Sequence, residues 1–515
     1  MSKPCLAATL SVPPSISGAE LAALPDSVKL LEVRADLLGD LNVNWLRRHF
    51  KGELLYVLRS HAQGGHSFDS PEQRRRRLTA AARYYDQVEL EYDRDLSAGL
   101  LGEIPAAKRI LSWHGPAVDR SELLARFREM ASVPAVNYKL VTWADKLSDE
   151  FTSLSVLRSL GRSDVIAYST GPLGFWSRLV ALHLGAPVIF GLVPNGPVVP
   201  GEPTIVKLIQ DYGLPALPRL KAIFAIIGDP VFHSLSPRLH NAAYRALNYP
   251  ALFLPLRVES FDEFWSGVVQ AKSFESLGFA FNGMTVASPH KESAVLNAKL
   301  VSPMAQRADS ANILVRNNGW WDADTTDPEV IYMASRERNV QVSDKRAAVI
   351  GCGGAGRAIA TALVQSGANV TLVNRSPERG HRAADLLSLP YLPLAGFNAA
   401  GYGVIVNATP VGRDSDDLPF KIENVNRDVV VIDLVYGSRP TPLIANTKAH
   451  EQIAIDGRDV LLTQVVRQFR MMTGRELPLG IALEALGRAP QFSDAVGLAQ
   501  NLTRPTMSLA GTDAN

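Results

Sequence analysis

The sequence predicts an α/β protein: an N-terminal (β/α)8 barrel followed by a two-domain part, an α/β substrate domain and then a Rossmann domain. Three observations predict this architecture. Short apolar stretches alternate with helix-compatible segments over the first 218 residues, a second α/β pattern begins near residue 219, and a glycine-rich turn joins a strand to a helix at residue 351. A length of 515 residues also exceeds what one hydrophobic core ordinarily serves.

The barrel prediction depends on the number of apolar stretches. There are eight: CLAATL at 5, KLLEVRAD at 29, ELLYVLRS at 53, QVELEY at 87, RILSWH at 109, AVNYKLVT at 135, DVIAYST at 164 and PVIFGLV at 187. Eight strands within about 200 residues fit the smaller (β/α)8 barrels, whose chemistry lies at the carboxyl ends of the strands. Polar side chains occur within or at the ends of these strands: Glu32, Arg34, Arg59, Glu91, His114 and Lys139. We therefore expect a polar site at this end of the barrel.

Domain boundaries follow from the changes in pattern. The segment DYGLPALPRLK at 211–221 contains two prolines and precedes the strand-like KAIFAIIG. We predict the following segments: a barrel at 1–218, a substrate domain at 219–328, a dinucleotide domain at 329–455, C-terminal helices returning to the substrate domain at 456–490, and a loosely ordered tail at 491–515.

Composition narrows the class of partner. The net charge of +2, from 53 basic and 51 acidic residues, gives no general attraction for nucleic acid or an anionic membrane. No apolar run approaches the roughly 18 residues of a membrane span. Cys5 and Cys352 are too few for a disulfide framework and lack metal-ligand spacing. We expect a cytoplasmic protein that acts on small molecules, without a metal and without binding nucleic acid or membrane.

Lys139 and His114 suggest covalent chemistry in the barrel. An ammonium group inside an apolar strand must be paired, exposed at the strand end, or neutralised by a lowered pKa. A neutral lysine condenses with a ketone to an imine that acidifies the neighbouring carbon, and a histidine on the preceding strand is a suitable base. In the alternative interpretation, Lys139 extends to solvent and His114 is a hydrogen-bonded core residue.

The motifs EVRAD, LRSHAQGG, VELE, SWH, NYKL and GFWSRLVALHLGAPVIFG favour the catalytic interpretation. In this order they resemble the type I 3-dehydroquinate dehydratase family, over residues 5–215. The resemblance implies that Lys139 forms the imine, that His114 moves protons, and that Glu91 positions His114. It implies that the substrate hydroxyls lie among Glu32, Arg34 and Arg59. It also implies that Arg178 binds the substrate carboxylate as a bidentate fork.

The loop VVPGEPT at 198–204 departs from this family, which usually has Ser-Ala-Pro-Gly-Gln there. Val198 replaces a hydroxyl, and Glu202 replaces an amide that binds the carboxylate end of the substrate in the family. An ionised Glu202 would repel that carboxylate unless it is protonated or paired with Arg178. We therefore expect weaker substrate binding.

The glycine-rich turn of the third unit predicts a dinucleotide site. Gly351, Gly353 and Gly356 form G-x-G-x-x-G between a strand and a helix, with Gly354 and Ala355 at the helix start. The next strand, NVTLV, ends in Asn374, Arg375 and Ser376, where an NAD-binding unit usually has an acidic residue. A cation there favours the 2′-phosphate of NADP. Alternatively, Arg375 is an ordinary solvated loop residue.

The segments GDPVFHSLSPRLHN, GMTVASPHKE, SANIL, DADTTD, NATPVG, DLVY and DGRDVLLTQVVRQF resemble the shikimate dehydrogenase family in order, over about 221–475. The resemblance implies a proton-relaying pair, Lys291 and Asp327. The implied substrate ligands are Ser234, Ser236, Thr285, Asn312, Tyr436 and Gln464, and the implied cofactor-adjacent residues are Asn407, Thr409 and Gly457. Thr325 and Pro328 depart from the family's Asn-Thr-Asp-Gly, so we expect altered geometry around Asp327.

Together the resemblances imply a bifunctional enzyme that dehydrates 3-dehydroquinate to 3-dehydroshikimate and reduces it to shikimate with NADPH. The product of the first half is then the substrate of the second. Two alternatives stay open: a second half that also uses quinate, and a catalytically weakened, metabolite-sensing regulator. The presence of Lys139, His114, Lys291 and Asp327 argues against the regulator.

Overall fold

The computed structural model describes residues 4–11, 18–194, 199, 201–337, 340–422, 425–437 and 439–488. Val198 and the predicted tail at 491–515 lie outside the described residues. Among the helices of these ranges, none has both the length and the apolar composition needed to cross a membrane.

The N-terminal part contains the predicted barrel. Its strands are β1 (Cys5–Leu10), β2 (Val28–Arg34), β3 (Glu53–Val57), β4 (Gln87–Glu91), β5 (Arg109–Gly115), β6 (Asn137–Trp143), β7 (Val165–Thr170) and β8 (Val188–Leu192). They form one nearly closed sheet in the order β7-β6-β5-β4-β3-β2-β1-β8, with parallel pairing between neighbours. Most strand residues are buried, as continuous apolar strands covered by helices require. The barrel prediction is confirmed.

Helices follow the barrel strands: α1 (Gly18–Ala22), α2 (Ala35–Leu38), α3 (Val43–His49), α4 (Pro71–Tyr84), α5 (Ala98–Glu103), α6 (Arg120–Met130), α7 (Asp149–Leu160), α8 (Ser177–His183) and α9 (Ile205–Tyr212). Local sequence sets their ends. Helix α4 begins at a capping box of Ser70 and Gln73, with Pro71 in its first turn. Helix α9 begins at Thr204, whose hydroxyl accepts from the Lys207 N–H, and ends at the left-handed Gly213.

The next elements are β9 (Ala222–Gly228), α10 (Ser236–Ala246), β10 (Ala251–Arg257), α11 (Phe261–Phe264), α12 (Ser273–Ser276), β11 (Ala280–Val286), α13 (Lys291–Leu296), β12 (Leu300–Val301), α14 (Pro303–Ala308), β13 (Ile313–Asn317), β14 (Trp320–Asp324) and α15 (Glu329–Glu337). Strands β11, β13 and β14 pair antiparallel in succession, and β12 pairs parallel with β14. This arrangement brings the ends of β11 and β14 close to each other.

The last part contains β15 (Arg346–Ile350), α16 (Gly354–Gln365), β16 (Asn369–Asn374), α17 (Pro377–Leu387), β17 (Tyr391–Pro393), β18 (Val404–Asn407), β19 (Val430–Asp433), α18 (Pro442–Ala449), β20 (Ile453–Ile455), α19 (Gly457–Thr473) and α20 (Leu479–Ala485). The parallel order β17-β16-β15-β18-β19-β20 is the 3-2-1-4-5-6 order of a Rossmann fold. Apolar clusters cover both faces of this sheet. The Rossmann prediction is confirmed.

Contacts divide the chain into two compact units. Residues 1–225 with 229–281 form one unit, and residues 226–228 with 282–515 form the other. In the first unit the barrel packs on the segment 229–281. Phe274 of α12 lies 5.0 Å from the Phe151 ring of α7 and 5.3 Å from the Trp176 ring, measured between centroids. Arg158 of α7 also donates to the Leu277 carbonyl. The segment boundaries predicted from sequence stay a prediction.

We predict that Phe274→Ala destabilises the barrel as well as the segment that carries Phe274. The ring is fully buried, and its removal leaves a cavity against barrel side chains, with an expected cost of about 3 to 5 kcal/mol. The free energy of unfolding, measured in urea by tryptophan fluorescence, should fall by this amount. Tyr84→Ala, at a ring that is 65% exposed, should change it by about 0.5 kcal/mol or less. A barrel transition that stays at the wild-type midpoint would contradict the shared core.

Candidate active sites

Lys139 lies in the centre of the barrel and is only 2% exposed. Its Nζ is 3.2 Å from Glu32 Oε1, 2.9 Å from Glu89 Oε2 and 4.2 Å from the centroid of the Phe190 ring. Burial disfavours the ammonium form, but Glu32 and Glu89 outweigh it and raise the pKa of Lys139. The sequence allowed a lysine that is paired, exposed or neutralised. In the structure it is paired with carboxylates and therefore protonated before substrate binds. It must lose a proton before it can act as a nucleophile.

His114 ends β5 and is 8% exposed. Its backbone N–H donates to Gln63 Oε1 at 3.0 Å, and its Nε2 lies 4.0 Å from Glu89 Oε1 without a hydrogen-bond partner among the described residues. Burial and then the positive charges of Arg59, Lys139 and Arg34 hold the pKa of His114 well below its usual value. The imidazole is therefore neutral in the resting site and can accept a proton.

The prediction that Glu91 positions His114 stays a prediction, and the carboxylate beside His114 Nε2 in this structure is that of Glu89, at 4.0 Å. Glu91 instead accepts from the Ser60 N–H at 2.6 Å and lies 3.3 Å from Arg74. Along the hydrogen-bonding direction, Glu91 is in register with Ser112, and Ser112 with Lys139. Barrel strands are tilted relative to the barrel axis. Side chains at the same height along this axis therefore come from residues that are not paired in register. The acid at the height of Lys139 is therefore two residues earlier on β4.

The remaining barrel residues predicted from sequence converge on one cavity at the carboxyl ends of the strands. Glu32 accepts from the Thr9 hydroxyl at 2.6 Å. Arg34 is fixed by Asp36 through two hydrogen bonds of 2.8 and 2.7 Å, and Arg59 lies 3.8 Å from Glu89. The cavity brings together these predicted residues: Glu32, Arg34, Arg59, His114, Lys139, Arg178 and Glu202. The sequence analysis missed Thr9, Gln63, Glu89, Tyr168 and Phe190.

Arg178 of α8 lines the barrel cavity and has two donors that make no hydrogen bond with the described residues. Its Nη1 donates to the Phe190 carbonyl at 3.3 Å, while Nε and Nη2 are buried without a hydrogen-bond partner among the described residues. Unpaired buried donors of a charged group are costly, so they favour an anion at this place. Glu202 lines the same cavity, yet no Arg178 donor is hydrogen-bonded to it in the described part of the chain. The pairing considered from sequence is therefore not formed.

A second polar centre contains the predicted pair Lys291 and Asp327. Lys291 Nζ donates to Asp327 Oδ2 at 2.6 Å, and the other carboxylate oxygen accepts from Asn312 at 3.0 Å and Gln464 at 2.9 Å. Asp327 is buried, whereas Lys291 is partly exposed. The four side chains come from α13, the β14–α15 connection, the segment before β13 and α19. The structure thus brings together four residues that are far apart in sequence.

A second layer of hydrogen bonds holds this centre. Thr326 donates its N–H to Asn312 Oδ1 at 2.8 Å, and its hydroxyl accepts from Gln468 at 2.9 Å. Thr285 donates to Gln468 Oε1 at 3.0 Å, so its hydroxyl is engaged in this layer. Thr326 and Gln468 were not predicted from sequence. Ser234 and Ser236 belong to the other compact unit, where both are buried and the Ser236 N–H donates to Ser234 Oγ at 3.2 Å.

Neither of the two departures beside Asp327 is among the side chains that bond its carboxylate in the described part of the chain. The Thr325 N–H donates to Asp324 Oδ1 at 2.7 Å, and its hydroxyl finds no partner among the described residues. Asn312 and Gln464 orient Asp327 instead. Pro328 directly precedes α15, where a missing N–H leaves no intrahelical bond unmade. The expectation of altered geometry around Asp327 stays a prediction.

The glycine turn of the Rossmann domain fits a dinucleotide. Gly351 has a φ of 105°, and a Cβ at Gly356 would collide with the Gly351 carbonyl. Helix α16 begins at Gly354 after Gly353, and nothing lies within 4 Å of a Cβ built at Gly353. The N–H groups at this end, including that of Ala355, form a cradle for a pyrophosphate.

Other predicted cofactor residues take different positions. Asn374 accepts from the Cys352 N–H at 3.3 Å, Ser376 caps α17, and Arg375 between them is exposed. Asn407 donates to Asp433 at 2.9 Å and accepts from Thr409, so both side chains shape their own loop.

Tyr436 and Gly457 line a cavity of about 410 Å³, and a Cβ at Gly457 would collide with the Val435 carbonyl. Within the described ranges, no cluster of three or more His, Cys, Asp or Glu side chains is placed to hold a metal ion.

Comparison with known proteins gives the same division. Residues 17–216 match the type I 3-dehydroquinase family, and residues 226–314 match the shikimate dehydrogenase substrate-binding domain. The shikimate dehydrogenase (NADP(+)) of Nitrosopumilus maritimus (strain SCM1) is 31% identical over 271 residues, which are 51% of this chain and 97% of that protein.

Longer matches cover both halves. The chloroplastic bifunctional 3-dehydroquinate dehydratase/shikimate dehydrogenase of Arabidopsis thaliana is 26% identical over 487 residues, which are 87% of this chain and 78% of that protein. A solved structure, the dehydroquinate dehydratase and shikimate dehydrogenase from S. pombe AroM, covers 94% of this chain and 99% of its own, at 23% identity and a TM-score of 0.41. The chain belongs to the shikimate dehydrogenase family and carries a type I 3-dehydroquinase domain before its dehydrogenase part.

Proposed function

We propose that this bifunctional shikimate-pathway enzyme dehydrates 3-dehydroquinate through an imine on Lys139 and then reduces 3-dehydroshikimate to shikimate with NADPH. The observation that carries the proposal is a buried lysine, held between two carboxylates, beside a neutral imidazole in one barrel cavity. The partners are small hydroxylated carboxylic acids rather than nucleic acid or membrane, and the proposed location is the cytoplasm.

The dehydratase begins with loss of a proton from the Lys139 ammonium. The free amine attacks the substrate ketone, and loss of one water gives a protonated imine that acidifies the neighbouring carbon. His114 accepts the proton from that carbon and returns a proton to the hydroxyl that leaves as water. A further water hydrolyses the imine and releases 3-dehydroshikimate, so the net change is loss of one water.

Glu32 and Glu89 stabilise the cationic states of Lys139, both the resting ammonium and the protonated imine. Glu89 also lies beside His114 Nε2, so it stabilises the imidazolium formed when His114 accepts a proton. The unused donors of Arg178 are available to the substrate carboxylate. Arg34 and Arg59 are available to the substrate hydroxyls.

In the dehydrogenase, Gly351, Gly353, Gly354, Ala355 and Gly356 would hold the pyrophosphate of NADPH. Asn374, Arg375 and Ser376 would hold its 2′-phosphate, with Arg375 supplying the charge. NADPH bound there supplies the hydride for the ketone carbon.

Lys291 donates a proton to the ketone oxygen, and Asp327 holds the ammonium group through its 2.6 Å hydrogen bond. Asn312 and Gln464 keep the Asp327 carboxylate in place.

We predict that borohydride treatment in the presence of 3-dehydroquinate leaves a stable adduct on Lys139. Borohydride reduces the imine to a secondary amine, which mass spectrometry of the digested chain locates. Lys139→Arg keeps a cation but cannot form the imine, and it should give neither adduct nor dehydratase turnover while the dehydrogenase stays active. Dehydratase turnover without a Lys139 adduct would contradict the imine mechanism, and loss of both in the wild type would favour the regulator.

We predict that Glu89→Gln lowers dehydratase kcat on the order of a hundredfold, whereas Glu91→Gln changes it little. The first change removes a carboxylate from Lys139 and from His114, so the pKa of Lys139 should fall and the pH profile of kcat should move. The second change weakens the contacts of Glu91 with Ser60 and Arg74, so it should lower the Tm instead. Steady-state rates across pH and thermal unfolding of both variants separate the two roles. The reverse pattern would restore the assignment made from sequence.

We predict that Asp327→Asn lowers kcat for 3-dehydroshikimate reduction on the order of a hundredfold. The amide keeps the shape but cannot hold the Lys291 ammonium by charge, so proton donation slows. NADPH oxidation followed spectrophotometrically measures kcat, and the KM for NADPH and the dehydratase rate serve as internal controls. Full turnover in the variant would remove Asp327 from the proposed role. The same assay with NADH tests the preference for NADP.

A further inference from the structure

Tyr168 is a phenol within the barrel cavity that the mechanism above does not use. It lies on β7, in register with Val141 of β6, and is 7% exposed. The cavity that it lines also contains Lys139, Arg178 and Glu202. A buried tyrosine beside unused cationic donors is placed to contact whatever occupies the cavity.

The tyrosine ring fixes one side of Arg178. The guanidinium carbon lies 5.0 Å from the centroid of the ring, and Nη1 donates to the Phe190 carbonyl of β8. The donors that remain, Nε and Nη2, are buried without a partner among the described residues. Tyr168 therefore borders the place where these donors would receive an anion.

The carboxylate of Glu202 opposes the binding of an anion beside Arg178. Glu202 lines the same cavity and accepts no hydrogen bond from Arg178 in the described part of the chain. A substrate carboxylate here gains from the guanidinium but is repelled by a second carboxylate. A neutral hydroxyl donor would stabilise the substrate without adding charge. Burial, as the largest effect, raises the pKa of Tyr168, so its hydroxyl keeps its proton.

We propose that the Tyr168 hydroxyl donates a hydrogen bond to the substrate carboxylate beside Arg178, as a specificity-determining residue of the dehydratase. It thereby takes the place of the neutral donor that Glu202 cannot provide. This inference rests on the proposed dehydratase function and adds to it a residue that binds the ligand's carboxylate rather than its reacting carbon.

Tyr168→Phe in the full chain tests the hydroxyl alone, because the ring over Arg178 is kept. A hydrogen bond to a charged group is worth enough that the KM for 3-dehydroquinate should rise about tenfold or more. The dehydratase kcat should stay within about twofold, because a neutral hydroxyl bonded to the substrate carboxylate takes no part in the bond changes. Dehydrogenase activity reports folding of the chain. An unchanged KM, or a fall in kcat with an unchanged KM, would overturn the proposal.

Glu202→Gln provides the matched second variant. If Tyr168 compensates for the missing amide, Tyr168→Phe should raise KM less in the Glu202→Gln background than in the wild type. Equal effects in both backgrounds would overturn the compensation. Borohydride trapping on Lys139 distinguishes failure of the Tyr168 proposal from failure of the proposed dehydratase function. An adduct with an unchanged KM in Tyr168→Phe defeats only the role of Tyr168, whereas no wild-type adduct and no turnover defeats the proposed dehydratase itself.

Discussion

The ammonium group of Lys139 inside the barrel is the constraint on which the first site depends. A charge taken out of water must be compensated within a few ångströms, and Glu32 and Glu89 do so at 3.2 and 2.9 Å. Their carboxylates then need support, which Thr9 gives to Glu32 and Arg59 to Glu89. Burial first, and then the positive charges of Arg59 and Lys139, hold the pKa of His114 well below its usual value. One buried amine thus affects the protonation of its neighbours.

In the second site the lysine is also paired with a carboxylate, but it is less buried. Lys291 also pairs with a carboxylate, but its side chain is 16% exposed, whereas that of Lys139 is 2% exposed. Here the aspartate is the buried partner, and neutral amides of Asn312 and Gln464 hold it rather than further charges. A partly solvated ammonium beside a fixed carboxylate suits proton delivery to an oxygen, and a fully buried one suits an imine that must stay cationic.

The sequence predicted the architecture because its signals are local: apolar stretches, a proline-rich boundary and a glycine turn each act over a few residues. It located Lys139 and His114 for the same reason. It could not choose between Glu89 and Glu91, because both lie on β4 with the same side-chain alternation and only the tilt of the strands separates their heights. Tyr168 escaped notice because a tyrosine in a buried strand is ordinary until Arg178 and Glu202 lie beside it. The expectation for Thr325 and Pro328 considered only which family residues they replace. Asp327 also accepts a hydrogen bond from Gln464, which is far away in the sequence.

The dehydratase and dehydrogenase segments are joined by side-chain contacts as well as by the covalent chain. Helix α10 begins at Ser236, shortly after Ser234, and its Arg238 lies 2.6 Å from Asp211 of α9, which covers the barrel. Lys207 of α9 also reaches Asp211, and it donates to the Phe232 carbonyl just before these serines. Asp211 is fully buried, so its two cationic partners are needed whenever the unit is folded. Contacts with a dehydratase helix therefore position the segment that carries the two serines assigned to the dehydrogenase substrate. If the chain were divided between residues 212 and 222, the buried Asp211 carboxylate would lose Arg238, one of its two cationic partners.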